Sequence, residues 1–210
     1  MSAEQIKSQY PAEYGKIEAS LAGQSVGWLK SLRQQALGSF SSRGFPSLRE
    51  EEWRYTNVSA LEKKLFSPVL QTEVGAVDTD WLNSYRLENA WTVVLVDGHF
   101  SAALSDLDGL PESVRVLDMA TALEQYPQDL QAYFGQAVSH EQHSFVAFNA
   151  AWFTDGLFVQ VPAKEALSKP IQLIHIVTQA DYMANTRHII ALGDMAQVEL
   201  VETFIGCDES

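Results

Sequence analysis

Five histidines and one cysteine are the side chains of this sequence best suited to metal binding or nucleophilic chemistry. His140 and His143 are three residues apart, a spacing that would place both on one face of a helix. Their segment, HEQH, is one residue shorter than the H-E-x-x-H zinc motif, and no third ligand lies nearby in the sequence. The pattern therefore favours a solvated helix start over a metal site.

Two further histidines belong to apolar segments of the last third. His175 lies within IQLIHIV, and His188 follows Arg187 at the start of another apolar run. A histidine in such a segment is more often a core or strand-edge residue than a ligand. One alternative stays open, a cupin-like β-domain enzyme that binds a metal or a sugar, for which His175, His188 and Glu202 are the only plausible ligand set. A closed barrel that brings these side chains together would support it, whereas an open parallel coil would remove it.

The remaining reactive residues do not form a catalytic set. Cys207 precedes Asp208 and Glu209, whose negative charges disfavour the thiolate that a nucleophile requires. The adjacent carboxylates of Glu50–Glu52 would diverge around a helix and could not act as an acid–base pair. The sequence contains no GxSxG, P-loop or GxGxxG motif. We therefore assign no catalytic, cofactor-binding or metal-binding residue, and we predict a protein that is not an enzyme.

Composition narrows the class of protein further. The 210 residues suit one large domain or two small ones, and the net charge of −13 argues against a nucleic-acid partner. A single cysteine fits a reducing compartment. The first residues lack the apolar core of a signal peptide, and no apolar run approaches the roughly 20 residues needed to span a bilayer. We expect a soluble, cytoplasmic protein with no membrane partner.

Helical signals dominate residues 1–68, which we predict to form an N-terminal helical region. Apolar residues recur at spacings of three and four through the first forty residues, with a break near Gly23 and an end at Gly38. The segment SLREEEWRYT then places Ser47 three residues before Glu50, the spacing of a capping box. A helix start is therefore predicted there, followed by aromatic residues that could dock the helical region onto a sheet.

A second capping-box spacing joins Ser59 and Glu62, and we expect Pro68 to end the helix that follows. Residues 69–140 form a predicted small α/β connecting region. Its hairpin spans residues 91–104, where Asp97-Gly98 separates two β-rich runs. A strand at residues 114–117 and a helix over 118–134, interrupted before Pro127, complete that region.

Strand signals return after residue 141. HSFVAFNAAWF favours a helix, and the strands GLFVQVP, IQLIHIVT and HIIALGDMAQVELVETFIG follow it. Parts of these strands are apolar on both alternating faces, as in strands buried on both sides.

Several segments together resemble the SufB/SufD family, on the SufD side. REEEWRYT resembles the signature R-x-E-x-W-[RK]-Y-T, and FNAAWFTDGLFVQVP resembles F-N-x-A-F-x-x-D-G-x-x-[IV]-x-V-P. VVLVDGHFSAAL, KPIQLIHIVT and RHIIALGDMAQVELVETFIG resemble three further family segments, in family order, over roughly residues 45–206. The resemblance implies a scaffold subunit of the SUF iron–sulfur cluster assembly system that acts with SufB and the SufC ATPase. An iron–sulfur cluster intermediate is then implied for the whole complex, not for this chain.

The same resemblance implies a fold. It is mixed α and β, an N-terminal helical region followed by the first rungs of a right-handed parallel β-helix, which would start in residues 141–210. Gly193-Asp194 would turn a corner between strands, with Ile189, Ile190, Val198 and Leu200 pointing inward. Family members are about twice this length, so we hypothesise an N-terminal fragment whose SufB and SufC contacts lie mostly beyond residue 210. Its open strand edge would favour pairing of two copies, and Cys207 inherits no role from the family.

Overall fold

The computed structural model describes residues 3–70, 77–180 and 182–206, with side chains from Gln9 onward. Its helices are α1 (Ala3–Ile17), α2 (Gly27–Arg43), α3 (Thr79–Asn83), α4 (Met119–Gln125), α5 (Pro127–Gln131) and α6 (Ser144–Trp152). Single 3-10 turns lie at Glu18–Ser20, Glu51–Trp53 and Leu61–Lys63. Its strands are β1 (Ser67–Pro68), β2 (Trp91–Val96), β3 (His99–Phe100), β4 (Arg115–Asp118), β5 (Leu157–Val161), β6 (Ile171–Val177), β7 (Tyr182–Met183), β8 (Ile189–Leu192) and β9 (Leu200–Gly206).

An aromatic cluster joins the first two helices to α6. Tyr10 of α1 packs edge-on against Phe40 of α2 and Trp152 of α6, with ring centroids 5.7 Å apart in each pair. Phe148 of α6 contacts Tyr10 at 5.2 Å and stacks on Trp152 at 5.8 Å. Each such pair adds roughly 0.5–1.5 kcal/mol beyond the area that it buries. The N-terminal helices are therefore held on the helix that leads directly into β5.

The break between α1 and α2 lies where the sequence predicts it, but α2 ends later than predicted. Gly23 adopts a φ of 76°, a left-handed conformation that favours glycine. Helix α2 runs through Gly38 to Arg43, and the amide of Gly44 then donates to the carbonyl of Phe40 over 2.7 Å. The prediction that Gly38 ends the helix is wrong, because one internal glycine costs only about 1 kcal/mol and the packing of Phe40 outweighs that cost.

Arg33 fixes α2 against the end of α6. Its guanidinium group is 2% exposed and donates to the carbonyls of Ala151 at 2.8 Å, Phe153 at 3.1 Å and Ala22 at 3.1 Å. It also lies 3.8 Å from the centre of the Phe153 ring. Burial lowers the pKa of Arg33 to about 10. The arginine therefore stays charged at neutral pH and caps carbonyls that the end of α6 leaves without helical partners.

Two sheets, formed by strands between residues 91 and 206, pack face to face. Their strand orders are β3-β2-β6-β9 and β4-β5-β8. Strands β2, β6 and β9 run parallel, as do β5 and β8, whereas β3 and β4 pair antiparallel with their neighbours. The core between the sheets is formed mainly by apolar side chains at alternate strand positions, namely Trp91, Val93, Leu95, Val114, Leu157, Val159, Val161, Ile171 and Leu173.

The predicted hairpin is confirmed, with a shorter second strand than expected. Leu95 pairs with Phe100, and Asp97 and Gly98 have φ values of 48° and 89°, as a tight two-residue turn requires. The Asp97 carboxylate accepts hydrogen bonds from the amide and the hydroxyl of Thr178, at 2.7 and 2.5 Å. The hairpin turn is thereby attached to the end of β6.

Beyond α6, successive long strands alternate between the two sheets. β5 and β8 lie in one sheet and β6 and β9 in the other, and the two strands of each pair run in the same direction. The backbone thus winds as a coil, and the described strands do not close into an antiparallel barrel. The cupin-like fold considered from the sequence is therefore wrong. β8 and β9 end their sheets within the described residues, so both sheets are open.

The corner between β8 and β9 follows the prediction only in part. Gly193 lies so close to the preceding coil that an added Cβ would be 2.3 Å from the amide nitrogen of Ala163. Ile190 and Val198 pack on the core between the sheets, as predicted. Ile189 packs on a different cluster, against α4, because neighbouring strand residues face opposite sides. Leu200 is 37% exposed, since no described strand covers its side of β9.

The second predicted capping box does not start an α-helix. Leu61–Lys63 forms a single 3-10 turn without a side-chain cap, and Ser67–Pro68 forms the short strand β1, which pairs in parallel with β7. Pro68 therefore lies in a strand and does not end a helix. Within the described residues, no helix has the length and apolar character needed to cross a bilayer.

Candidate functional site

Three potential metal ligands converge between the open ends of the two sheets. His175 lies on β6, Glu202 on β9, and His188 immediately before β8. One ligand atom from each residue lies within 4.8 Å of the other two. His175 Nε2 and Glu202 Oε1 are 3.2 Å apart. It is the only such cluster of three or more histidine, cysteine, aspartate or glutamate residues across 3–70, 77–180 and 182–206.

Strand register explains why these side chains meet. β6 and β9 pair so that Leu173 lies beside Glu202 and His175 beside Phe204. Alternate residues of a strand share a face, so Leu173 and His175 both point toward the second sheet. His188 enters the same space from that second sheet, because Ile190, two residues later, also packs on the core between the sheets. The cluster depends on the stacking of successive coils and on no local sequence motif.

The surroundings of the cluster are partly apolar and partly open. His175 is 8% exposed, and the Phe204 ring stacks on it at 4.4 Å with only 9° between the planes. The His188 ring meets His175 nearly edge-on at 5.4 Å. The Glu202 side chain is half exposed, and Phe204 is 72% exposed. The site is therefore buried on its histidine side and accessible to solvent through the glutamate and phenylalanine.

Burial sets the charge of both histidines. It lowers the pKa of His188 to about 4, assisted by the neighbouring His175. It also lowers the pKa of His175, although the hydrogen bond that Glu202 accepts from the His175 ring opposes that shift. Both imidazoles are consequently neutral at neutral pH, the form in which histidine binds metals.

His188 carries a hydrogen-bonding atom that is not satisfied. Its Nδ1 accepts a hydrogen bond from the amide of Leu157 over 3.1 Å. The neutral ring therefore has its proton on Nε2. Nε2 is buried and has no hydrogen-bond partner among the described residues. An unsatisfied buried donor costs about 1–3 kcal/mol. The unpaired Nε2 atom therefore indicates that the site binds a ligand or adopts another arrangement in which Nε2 has a partner.

The spacing within the cluster suits a small cation. Zinc lies about 2.1 Å from histidine nitrogen or carboxylate oxygen, so ligand atoms of a tetrahedral site are roughly 3.4 Å apart. The His175–Glu202 pair already has this separation. The sequence identified these three residues only as the ligand set of a cupin-like barrel. The structure brings them together without that barrel.

A second polar cluster lies beside the first and has a structural role. Asn149 of α6 donates to the Asn185 side chain at 2.6 Å and to the Thr186 carbonyl at 2.7 Å. Its oxygen accepts from Arg187 at 3.0 Å. Burial lowers the pKa of Arg187, whose guanidinium lies 5.3 Å from the Phe134 ring. These contacts attach α6 to the segment that leads into β8 and so position His188.

The SLREEEWRYT segment folds differently from its prediction. The Glu50 carboxylate accepts from the Ser47 amide at 2.8 Å, one half of a capping box, but Glu51–Trp53 forms only a 3-10 turn. Trp53 contacts Phe145 of α6 at 5.1 Å and therefore docks on a helix, not on a sheet. Tyr55 is 89% exposed. The prediction that both aromatics are buried against a sheet is wrong.

The other sequence candidates lie apart from the cluster. His140 and His143 precede α6 and share no helical face, and His143 Nδ1 lies 3.4 Å from Glu52. His99 Nε2 is 2.7 Å from the Val69 carbonyl, while its Nδ1 lies 3.9 Å from the Asp155 carboxylate. Asp155 accepts from the amides of Phe100 and Met119 at 3.0 and 3.1 Å, a structural role. Cys207 lies outside the described residues.

A family model and several known proteins are similar in sequence to this chain. Residues 4–173 match the model of the SufBD protein N-terminal region. The chain is 26% identical over 193 residues to an iron–sulfur cluster assembly SufBD family protein, slr0076, of Synechocystis, covering 90% of this chain and 42% of that protein. It is 25% identical over 195 residues to the iron–sulfur cluster assembly protein SufD of Bacillus subtilis, covering 87% and 42%.

A plant relative gives a weaker similarity. The chain is 21% identical over 188 residues to the chloroplastic protein ABCI7 of Arabidopsis thaliana, covering 86% of this chain and 38% of that protein. The chain spans about two fifths of the length of each of these curated relatives. His175, His188 and Glu202 all lie outside the region that the family model matches.

Proposed function

This chain belongs to the SufBD family, and from that premise we propose that it is a SufD-like scaffold component of iron–sulfur cluster assembly and not itself a catalyst. The observation that carries the proposal is the family match over residues 4–173. Two relatives named for iron–sulfur cluster assembly support it, each similar over nearly nine tenths of this chain or more.

The winding of the backbone supports the scaffold fold that we infer. Strands β5, β6, β8 and β9 alternate between two sheets, and like strands stack in parallel register. We interpret these strands as the first rungs of a right-handed parallel β-helix that follows the N-terminal helices. A repeat of this kind buries its apolar face only when a neighbouring rung covers it. Leu192, Leu200 and Phe204, which are 50%, 37% and 72% exposed, would then be the face on which a further rung packs.

The roles that we propose for the members of the complex are those that the family resemblance implies. The scaffold offers surfaces and ligands, SufC supplies ATP hydrolysis, and the iron–sulfur cluster is the cargo of the complex. SufB and SufC would mostly contact the part of the family proteins that this chain does not match, and two copies of this chain would meet through the open edge at β9. The proposed compartment is the cytoplasm.

Affinity purification of the natural gene product tests this proposal. The chromosomal gene receives a C-terminal tag, and proteins that co-purify are compared with those from an untagged strain. We expect SufB and SufC homologues to be enriched together in near-equal amounts. Absence of both homologues from the purified natural product would contradict the proposal.

A further inference from the structure

We propose that His175, His188 and Glu202 bind one divalent transition-metal ion, such as Zn²⁺ or Fe²⁺, between the open ends of the two sheets. This proposal rests on the geometry of the cluster and is independent of the role proposed above. Two imidazoles and one carboxylate are ligands that such ions accept readily. They supply three positions of a tetrahedral site and leave the fourth for water or for a ligand.

The cluster is already arranged as a binding site. Three ligand atoms that come from three separate segments lie within 4.8 Å of one another. The stacked Phe204 ring restricts rotation of His175, and the Asn149–Arg187 contacts fix the segment that carries His188. Only Glu202 is substantially exposed. A small ion can therefore enter past the exposed Glu202 side chain and bind two histidines whose positions are set by packing.

The unpaired nitrogen of His188 is a second, independent observation. Nε2 is buried and has no hydrogen-bond partner in the described part of the chain. Ligation of Nε2 gives this atom a partner and moves its proton to Nδ1 or to solvent. A proton on Nδ1 cannot coexist with the present hydrogen bond from the Leu157 amide. Ligation through Nδ1 would displace the same bond directly. Metal binding by either nitrogen therefore changes the environment of the Leu157 amide.

The first test is titration of the chelator-treated 210-residue chain with Co²⁺ and Zn²⁺, in a Cys207→Ser background that removes the thiol. We expect one Zn²⁺ per chain by calorimetry and visible Co²⁺ absorption bands of tetrahedral intensity. His188→Ala and Glu202→Gln should each weaken binding by more than about 100-fold, because loss of a direct ligand exceeds the usual 10- to 100-fold effect of a residue behind the ligands. Glu202→Gln is conservative and half exposed, so folding of this variant is expected to be unaffected.

A matched control exists in the same chain. His143 and Glu52 form an exposed pair 3.4 Å apart, without a third ligand among the described residues. His143→Ala should leave metal affinity unchanged. In amide NMR spectra, Zn²⁺ should shift the Leu157 resonance in the parent chain and leave it in place in Glu202→Gln. Failure to bind either ion saturably, or equal affinity in the parent and in the His188→Ala and Glu202→Gln variants, would overturn the proposal. Loss of affinity in His143→Ala alone would also overturn it, because binding would then lie at the loop.

Discussion

The α-carbon of Gly156 lies so close to the backbone of Arg187 that an added Cβ would be 1.8 Å from the Arg187 carbonyl oxygen. Asp155 and Thr186 form a parallel bridge at the same place, and the Arg187 amide donates to the Asp155 carbonyl at 3.0 Å. Two successive coils of the backbone therefore touch at a point where only glycine fits. Because His188 directly follows Arg187, this contact helps to fix the position of His188 between the sheets.

Substitution of Gly156 tests that contact. Gly156→Ala should lower the free energy of unfolding by more than about 3 kcal/mol, because backbone of one coil must move away from the other. Urea unfolding followed by tryptophan fluorescence measures the change.

Gly38→Ala is the matched control for this prediction. Gly38 lies inside α2 with no atom within 4 Å of an added Cβ. Alanine there should raise the free energy of unfolding by roughly 0.5–1 kcal/mol. Equal and small effects of the two substitutions would show that the coils do not approach each other as described.

Replacement of Arg33 should destabilise the junction of α2 and α6. Arg33→Met retains much of the side-chain length but leaves the carbonyls of Ala151, Phe153 and Ala22 without their donor. We expect a loss of roughly 3 kcal/mol in the free energy of unfolding, since several buried acceptors lose a charged partner. Arg43→Met is the control, because Arg43 makes one exposed hydrogen bond, to Gln142. A loss no larger than that of the control would contradict the anchoring role of Arg33.

The buried carboxyl group of Asp155 should make the free energy of unfolding depend on pH. Burial raises the pKa of its carboxyl group above the ordinary value, although the amide of Phe100 opposes the shift. The folded protein therefore holds a proton at pH values where the unfolded chain has released it. The stability that this carboxyl contributes is largest below its ordinary pKa and declines as the pH rises through the folded value. The stability advantage of the parent over Asp155→Asn should thus be greater at a pH near the ordinary carboxyl pKa than at about pH 8.

Paired urea unfolding curves at the two pH values measure this difference. The other carboxyl groups titrate in both proteins and largely cancel in the comparison. The nearby titratable groups are His99 and Asp118, which both proteins retain. An advantage that grows toward alkaline pH would contradict the conclusion that burial of the Asp155 carboxyl outweighs its hydrogen bonds.

Trp53 and Tyr55 should differ sharply in their effect on stability. Trp53→Ala removes a half-buried ring that contacts Phe145, and we expect a loss of about 1–2 kcal/mol. Tyr55→Ala should change the free energy of unfolding by less than about 0.5 kcal/mol, because the residue is almost fully exposed. Thermal unfolding of the two variants distinguishes them. A comparable loss in Tyr55→Ala would mean that this ring is packed in solution.

The parts of the fold that the sequence predicted well are local. Asp97-Gly98 specifies its tight turn through the φ values of two residues, and Pro127 starts α5 because its missing amide is unneeded there. The capping-box spacings misled because each is followed by only a short segment, which ends near Thr56-Asn57 in one case and at Ser67-Pro68 in the other. A single turn fixes several dihedral angles for few hydrogen bonds, so short segments such as Glu51–Trp53 remain 3-10 turns.

The candidate site was only partly predictable, because it depends on distant contacts. The apolar segment IQLIHIV placed His175 in a strand, yet no local pattern revealed that His188 would face it from another sheet. The register of β6 and β9 decides that Glu202, rather than Thr203, points toward His175. No local pattern marks Arg33 as buried either, since the carbonyls that it binds lie at the end of α6 and in the turn before α2. A parallel stack of coils was expected from family resemblance, not from periodicity.

Maturation of iron–sulfur proteins tests the central claim most directly. The natural gene product is depleted in a strain that retains SufB and SufC but in which any alternative cluster-assembly system is repressed, and the cluster content of a newly synthesised [4Fe–4S] reporter enzyme is measured. We expect the reporter to accumulate without its cluster and to regain activity when the gene is restored. Unchanged cluster content after complete depletion would contradict a role for this protein in iron–sulfur cluster assembly.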